Sequence, residues 1–148
     1  MENAFIFIIN YHDGQFVLES DYEYTGIESL CLYDEVPHVG SLTSYENIVE
    51  GDEDEIEAKV QIGPVSIGID GSTWPFSLYA GGIFHDIACS STDLNHAVGL
   101  VGYGYEDSTQ YWIVHNSWGE SWGENGYIRM ICEYNQCRIA SAATLPHA

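Results

Sequence analysis

Basic side chains are almost missing from this sequence. Lys59, Arg129 and Arg138 are the only three in 148 residues, against 23 acidic ones, and the formal net charge is −20. Nucleic acid and anionic membrane surfaces are bound through Lys and Arg faces, so neither is an expected partner. No apolar run approaches the roughly 20 residues that a membrane-spanning helix needs. The opening stretch MENAFIFII is apolar, but it carries Glu2, no basic flank and no small-residue cleavage site. It does not read as a signal peptide, and no targeting signal is expected in the chain. Internal repeats and low-complexity segments are absent as well.

What is present points to a packed protein. Hydrophobic residues make up 45% of the chain and include eleven Tyr and four Trp, too many for a disordered polyanion. A domain of this length buries roughly 70% of its unfolded surface. Seven carboxylates fall in ENIVEGDEDEIE at 46–57. That run lacks the alternating ligands and central Gly of a calcium loop, and reads instead as a solvated approach to a helix whose first turn welcomes negative charge. Self-repulsion in so acidic a chain eases near pH 5, which would suit an acidic compartment.

Apolar density predicts a helix over 2–10, stopped by the Asp13-Gly14 turn, and a second over Glu53–Ile62, ended by Gly63-Pro64. Tyr22 and Tyr24 alternate around Glu23 as in an extended segment. Four β-rich runs follow: VSIGI at 65–69, HAVGLVGY at 96–103, YWIVHN at 111–116 and GYIRMI at 126–131. Short runs separated by Gly, Asp, Ser and Asn indicate a mostly antiparallel sheet or small barrel, beginning near residue 47.

His96, in LNHAVGLVGYG, is by itself an ordinary core histidine on an apolar strand. A second motif changes its meaning. In YWIVHNSWGESWGENGY, Asn116 ends a strand and precedes Trp118 and Trp122. A base that activates a nucleophile needs a third group to hold its ring, and an Asn carbonyl can accept the imidazole N–H without burying another charge.

The segments GPVSIGID (63–70), LNHAVGLVGYG (94–104), YWIVHNSWGESWGENGYIRM (111–130) and CRIASAATLP (137–146) closely resemble, in order and spacing, the papain and cathepsin L family of cysteine proteases. MENAFIFIINYHDG and ESDYEYTGIESLC resemble the stretch after that family's catalytic helix. The resemblance implies a papain-like α+β fold of two domains, incomplete here: residues 1–47 as a remnant of the helical left domain, and 48–148 as a nearly complete, β-barrel-like right domain. It implies that His96 is the general base, that Asn116 orients it and that Trp118 covers their contact. Gly68, Ala97 and Ala142 would line the main specificity pocket, with a preference for Leu, Phe or Val, and Asn95 would offer a backbone carbonyl to the substrate. Cys89 and Cys137 would form a disulfide. Peptide or protein substrates, cystatin-like or pro-segment inhibitors, no cofactor, no metal, a monomeric state when complete and a lysosomal, vacuolar or secreted location follow for a full-length enzyme.

One part of the pattern has no counterpart. The family's nucleophile signature precedes its His by about 130–150 residues, which places it upstream of Met1. Cys31 matches a family cysteine whose partner lies in that upstream part, and Cys132 has no recognised counterpart and reads as a free buried thiol. The chain alone is therefore expected to be an inactive fragment of a thiol-dependent endopeptidase; the alternative is a non-catalytic homologue that binds peptides or inhibitors. With its partner helix missing, the apolar face of 1–9 is expected to be exposed. A zinc site from His85, Cys89, Cys132 and Cys137 is the competing reading of the cysteines, but its spacing fits no known knuckle pair. Arg138 stands where the family usually has Gly and is expected to be strained if that position takes positive φ.

Overall fold

Period-two alternation in the second half of the chain produces strands with one face inward. In the computed structural model, which describes residues 1–89 and 92–148, the runs form β2 (Val65–Ile69), β4 (His96–Glu106), β5 (Thr109–His115) and β6 (Tyr127–Ile131). Short strands β1 (Ser44–Asn47), β3 (Ile83–Phe84) and β7 (Ala143–His147) complete a seven-stranded sheet of order β1-β7-β2-β4-β5-β6-β3 among the described residues. The β2/β4, β2/β7, β4/β5 and β5/β6 pairs are antiparallel, and β3/β6 is parallel.

The inward set is Val65, Ile67 and Ile69 from β2, Val98 and Leu100 from β4, Trp112 and Val114 from β5, and Ile128 and Met130 from β6, all buried. Fully burying one such side chain contributes about 1.5–3 kcal/mol. Helix α2 (Glu53–Val60) closes this core with Ile56 and Val60, one turn apart on one face. Asp52 caps it by accepting from Glu55 N at 2.8 Å, and Glu53, Asp54 and Glu55 occupy its first turn. The acidic run is thus a helix start. Glu53 also accepts from Trp112 Nε1 and Asn135 N, tying that start to the core. The helix stops at Val60, two residues earlier than expected, because Ile62 N and Gly63 N both turn back to Lys59 O. A one-turn helix, α3 (Trp74–Ser77), follows β2, with Thr73 as its cap.

The chain divides into two compact units, one of Glu46–Leu145 with Met1, the other of Glu2–Tyr45 with Pro146–Ala148. In the smaller unit, α1 (Glu2–Tyr11) buries none of its residues, and Phe7 is 52% exposed. It ends at Asp13 and Gly14, both at positive φ; a Cβ on Gly14 would fall 2.2 Å from Leu42 O, so only glycine fits. Tyr22 and Tyr24 lie outside any strand: Tyr22, at a bend, bonds through N to Leu18 O, and Tyr24 N bonds the Glu19 carboxylate. No helix of the structure is long and apolar enough to cross a membrane.

Arg138 has φ +65°, in a turn where Tyr134, Asn135 and Cys137 are also left-handed. The left-handed region costs a non-Gly residue about 1–2 kcal/mol. Three side-chain bonds offset that strain: Nε to Ser141 Oγ, one terminal nitrogen to Thr92 O at 2.7 Å and the other to Glu50 at 3.0 Å.

Arg129 grips Glu124 with two parallel hydrogen bonds of 2.8 and 2.9 Å. That grip outweighs desolvation and holds the Glu124 carboxyl below its ordinary range. A group with a depressed folded-state pKa stabilises above its ordinary value and loses that contribution as pH falls through the folded one. In urea unfolding between pH 7 and pH 3, Glu124→Gln is expected to lose less stability than the parent chain; identical pH profiles would remove Glu124 from the account.

Candidate active site

His96 is the first residue of β4 and shares the inward parity of Val98 and Leu100, and Asn116 follows β5 with the inward parity of Trp112 and Val114. Because Gly99 pairs with His115, Asn116 comes opposite Val98 and sits diagonally from His96. Diagonal neighbours across an antiparallel pair are within reach of each other's long side chains. Here His96 Nε2 and Asn116 Oδ1 are 2.8 Å apart.

The chemistry of that contact fixes the tautomer. Asn116 Oδ1 also accepts from Ser117 N at 2.8 Å, so the amide oxygen, an acceptor only, faces both donors. His96 therefore donates through Nε2–H, and Nδ1 is the basic atom left to exchange a proton. Asn116 is buried, and its Nδ2 has no partner among the described residues. Trp118 lies beside the imidazole, ring centroids 5.1 Å apart, and Phe76 meets both rings edge-on at 6.0 and 5.4 Å. Trp122 stands edge-on to Trp118 and is anchored through Nε1 to Ser77 O. These indoles and the α3 phenyl form an aromatic cluster around the imidazole, in which Phe76 is buried and Trp118 is partly exposed.

Gly68, paired with Ala97 across β2/β4, bonds through N to Ala142 O at 2.9 Å. A Cβ on Gly68 would lie 3.5 Å from Leu94 Cδ1 and 3.7 Å from Ala142 Cβ. Gly68, Ala97 and Ala142 thus lie together as three small residues, with Leu94 beside Gly68. Leu94 was not singled out in the sequence; its place just before Asn95 and His96 was the available signal. Asn95 turns its side chain back to the end of β2, onto Asp70 and Gly71. On the outward face of the strands, a shallow depression of about 320 Å³ is lined by Met1, Ser66, Ala97, Gly99, His115 and Ser117, and reaches Asn116.

No thiol accompanies His96 within the larger unit. Cys89 and Cys137 form a disulfide with Cα atoms 4.9 Å apart, so neither can contribute to a zinc site. No group of three or more His, Cys, Asp and Glu with metal-binding geometry occurs among the described residues. Cys132 is buried and free, and bonds through N to Gln110 O at the β4/β5 hairpin end. At about 3.3 Å per strand residue, that is roughly 25–30 Å from His96, at the opposite end of the sheet. Burial first, then the charges of Glu53, Glu57 and Glu133, push its thiol far above the ordinary range, so it stays protonated and unreactive. Cys31, in the smaller unit, is free and exposed.

Fold and site together define a papain-like protein: a mixed α+β chain with an imidazole and an amide joined at one end of an antiparallel sheet under an indole. Comparison with known proteins agrees. The sequence pattern described as papain family cysteine protease matches residues 1–147, and the chain belongs to that family. It is 40% identical over 149 residues to cathepsin L of Sarcophaga peregrina, covering 99% of this chain and 43% of that protein. Cathepsin L-like proteinase of Fasciola hepatica is 42% identical over 152 residues, covering 99% of this chain and 44% of its own length. Digestive procathepsin L 3 of Tenebrio molitor larval midgut superposes with a TM-score of 0.90 at 41% identity, covering all of this chain and 48% of that one. The bromelain protease from Ananas comosus, in complex with the E64 inhibitor, gives 0.86 at 33% identity over 97% of this chain and 66% of that one. The chain spans less than half the length of the curated relatives it matches.

The cysteine environments lead to a direct test. A disulfide-exchange reagent at pH 8 is expected to titrate one thiol, Cys31, in the native chain and two in denaturant. Rapid reaction of two thiols without denaturant would contradict the burial of Cys132.

Proposed function

We propose that this chain carries the general-base half of a cysteine-type endopeptidase site, with His96 as base, Asn116 as the group that orients it and Trp118 as the cover of their contact. The observation that carries this reading is the 2.8 Å bond from His96 Nε2 to a buried, doubly engaged Asn116 Oδ1. It leaves Nδ1 as the one atom of the ring that can trade a proton with a thiol.

In that chemistry a thiol gives its proton to Nδ1, and the resulting thiolate attacks the scissile carbonyl carbon. As the tetrahedral adduct collapses, the C–N bond breaks and the imidazolium proton passes from Nδ1 to the leaving amine. Water then loses a proton to Nδ1 as its oxygen attacks the acyl thioester, which releases the acid and returns the proton to sulfur. Throughout, Asn116 Oδ1 keeps the ring facing one way and is closest to the charge when the imidazole is protonated. Among the four cysteines, two are consumed by the disulfide and Cys132 is buried, protonated and remote. Cys31, free and exposed, matches a structural cysteine of the family and not its nucleophile, and on that reading the 148 residues by themselves provide the base without a partner thiolate.

Peptides are the substrate class. Gly68, Ala97 and Ala142 would form the floor of the pocket for the residue before the cleaved one, Leu94 its wall, and Asn95 would supply a backbone carbonyl. An uncharged floor of this kind favours Leu, Phe or Val over Arg. The Cys89–Cys137 disulfide and the net charge of −20 support a lysosomal or extracellular setting, where disulfides persist and acidic pH relieves self-repulsion.

Two measurements test the proposal. The isolated chain is expected to leave a Phe-Arg fluorogenic peptide uncleaved; turnover that His96→Ala abolishes would mean that a nucleophile within the 148 residues was overlooked. A non-cleavable peptide with Leu or Phe one residue before the residue at the scissile bond is expected to shift the NMR signals of Gly68, Leu94 and Ala142 more than its Arg counterpart. Equal shifts from both would refute the pocket assignment.

A further inference from the structure

The turn after β2 buries a carboxylate that peptide hydrolysis does not call for. Asp70 is 1% exposed. A carboxylate in that position is tolerated only when hydrogen bonds satisfy it. Its Oδ1 accepts from Ser72 N at 3.0 Å, Ser72 Oγ at 2.6 Å and Asn95 Nδ2 at 2.7 Å. The first two bonds make an ordinary local turn, in which an Asp accepts from the residue two places on. The third does not belong to that turn, because Asn95 is 25 residues away along the chain.

Asn95 is held at two further points. Its Oδ1 accepts from Gly71 N at 2.9 Å, and its own N donates to Ile69 O at 3.1 Å. Three successive residues, Ile69, Asp70 and Gly71, therefore clamp the residue immediately before His96. Gly71 completes the fit: a Cβ there would lie 3.0 Å from His96 Cβ and 3.1 Å from Cδ2, so the turn packs directly against the imidazole. On its other side Asp70 N donates to Cys137 O at 2.9 Å, which ties the turn to the disulfide.

We propose that Asp70 is a positioning residue for His96, acting through the amide of Asn95 to fix the backbone from which the imidazole projects. The inference rests on the reading of His96 as the base and adds a second support to it. Asn116 holds the ring at Nε2 from the β5 side; the Asp70–Asn95 pair holds its root from the β2 side. Two supports from different strands leave the ring one orientation, whereas Asn116 alone would let it pivot about that single bond.

The test is carried out on the 148-residue chain with its histidine rings labelled with nitrogen-15. In the parent chain the ring nitrogens of His96 are expected to report one tautomer, protonated at Nε2. Asp70→Ala and Asn95→Ala are each expected to raise the minor Nδ1–H population by about two- to tenfold, the change that follows loss of one hydrogen bond. His115, on the outward face, serves as the internal control and is expected not to move. Asp70→Asn keeps an oxygen for Asn95 and Ser72 and is expected to restore most of the parent spectrum, which a general loosening of the fold would not do. Asn116→Ala separates the two readings, because it is expected to disturb the tautomer whatever Asp70 does. If Asn116→Ala shifts His96 while Asn95→Ala and Asp70→Ala leave it unchanged, Asp70 has no positioning role. If Asn116→Ala also leaves it unchanged, the base assignment itself fails. Should Asp70→Ala not fold, Asn95→Ala decides, since it cuts the same link from an exposed side chain.

Discussion

The structure around the candidate site depends on one hydrogen bond, His96 Nε2 to Asn116 Oδ1, and on the strand register that makes it possible. Shifting β4 against β5 by a single residue would turn His96 outward and carry it away from Asn116. The register is held by what lies further along the same strands. Val98, Leu100, Trp112 and Val114 are buried on the inward face, and none could be turned out without exposing the core. The bulge between Leu100 and Gly102 confines the irregularity of β4 to the half remote from His96, so the half that carries the imidazole keeps its pairing with β2 unbroken. The hydrophobic core, more than any local contact, decides where the imidazole stands.

Scarcity of positive charge shapes the rest. Each of the three cations is committed to a carboxylate: Lys59 to Glu46, Arg129 to Glu106 and Glu124, and Arg138 to Glu50. Exposed pairs of this kind contribute little individually, about 0–1 kcal/mol. Their value lies in placement. Arg129 joins β6 to the end of β4 and to the loop before β6, and Arg138 joins the chain before His96 to the loop that opens α2. Arg138 accepts a left-handed backbone to do so, a conformation that would suit glycine better and that would then leave Thr92 and Glu50 without this link.

How much of this was legible in the sequence varied with the range of the interaction. Alternation of apolar residues found β2, β4, β5 and β6, because a strand with one buried face writes its own period. The short pieces β1, β3, β7 and α3 left no such signature: four residues such as WPFS contain no full helical turn pattern, and ATLPH carries a proline, which argues against a strand. Tyr22 and Tyr24 looked extended because they alternate, yet they join no strand and bond locally, to Leu18 and Glu19. At the site, His96, Asn116 and Trp118 were legible because they stand in motifs. Leu94 and Asp70 were not, since the importance of each depends on residues distant in the chain: Gly68 and Ala142 for one, Asn95 for the other.

The disulfide has a topological effect apart from any effect on packing. Cys89 and Cys137 are 48 positions apart and between them lie β4, β5 and β6, with both His96 and Asn116. The bond makes that stretch a closed covalent ring and removes about 4 kcal/mol worth of freedom from the unfolded chain in the loop-entropy account. A protease that cuts once anywhere in the ring opens it without releasing a piece, so the imidazole and its amide stay on the same particle. For a chain whose relatives are themselves proteases, that arrangement makes a single nick survivable.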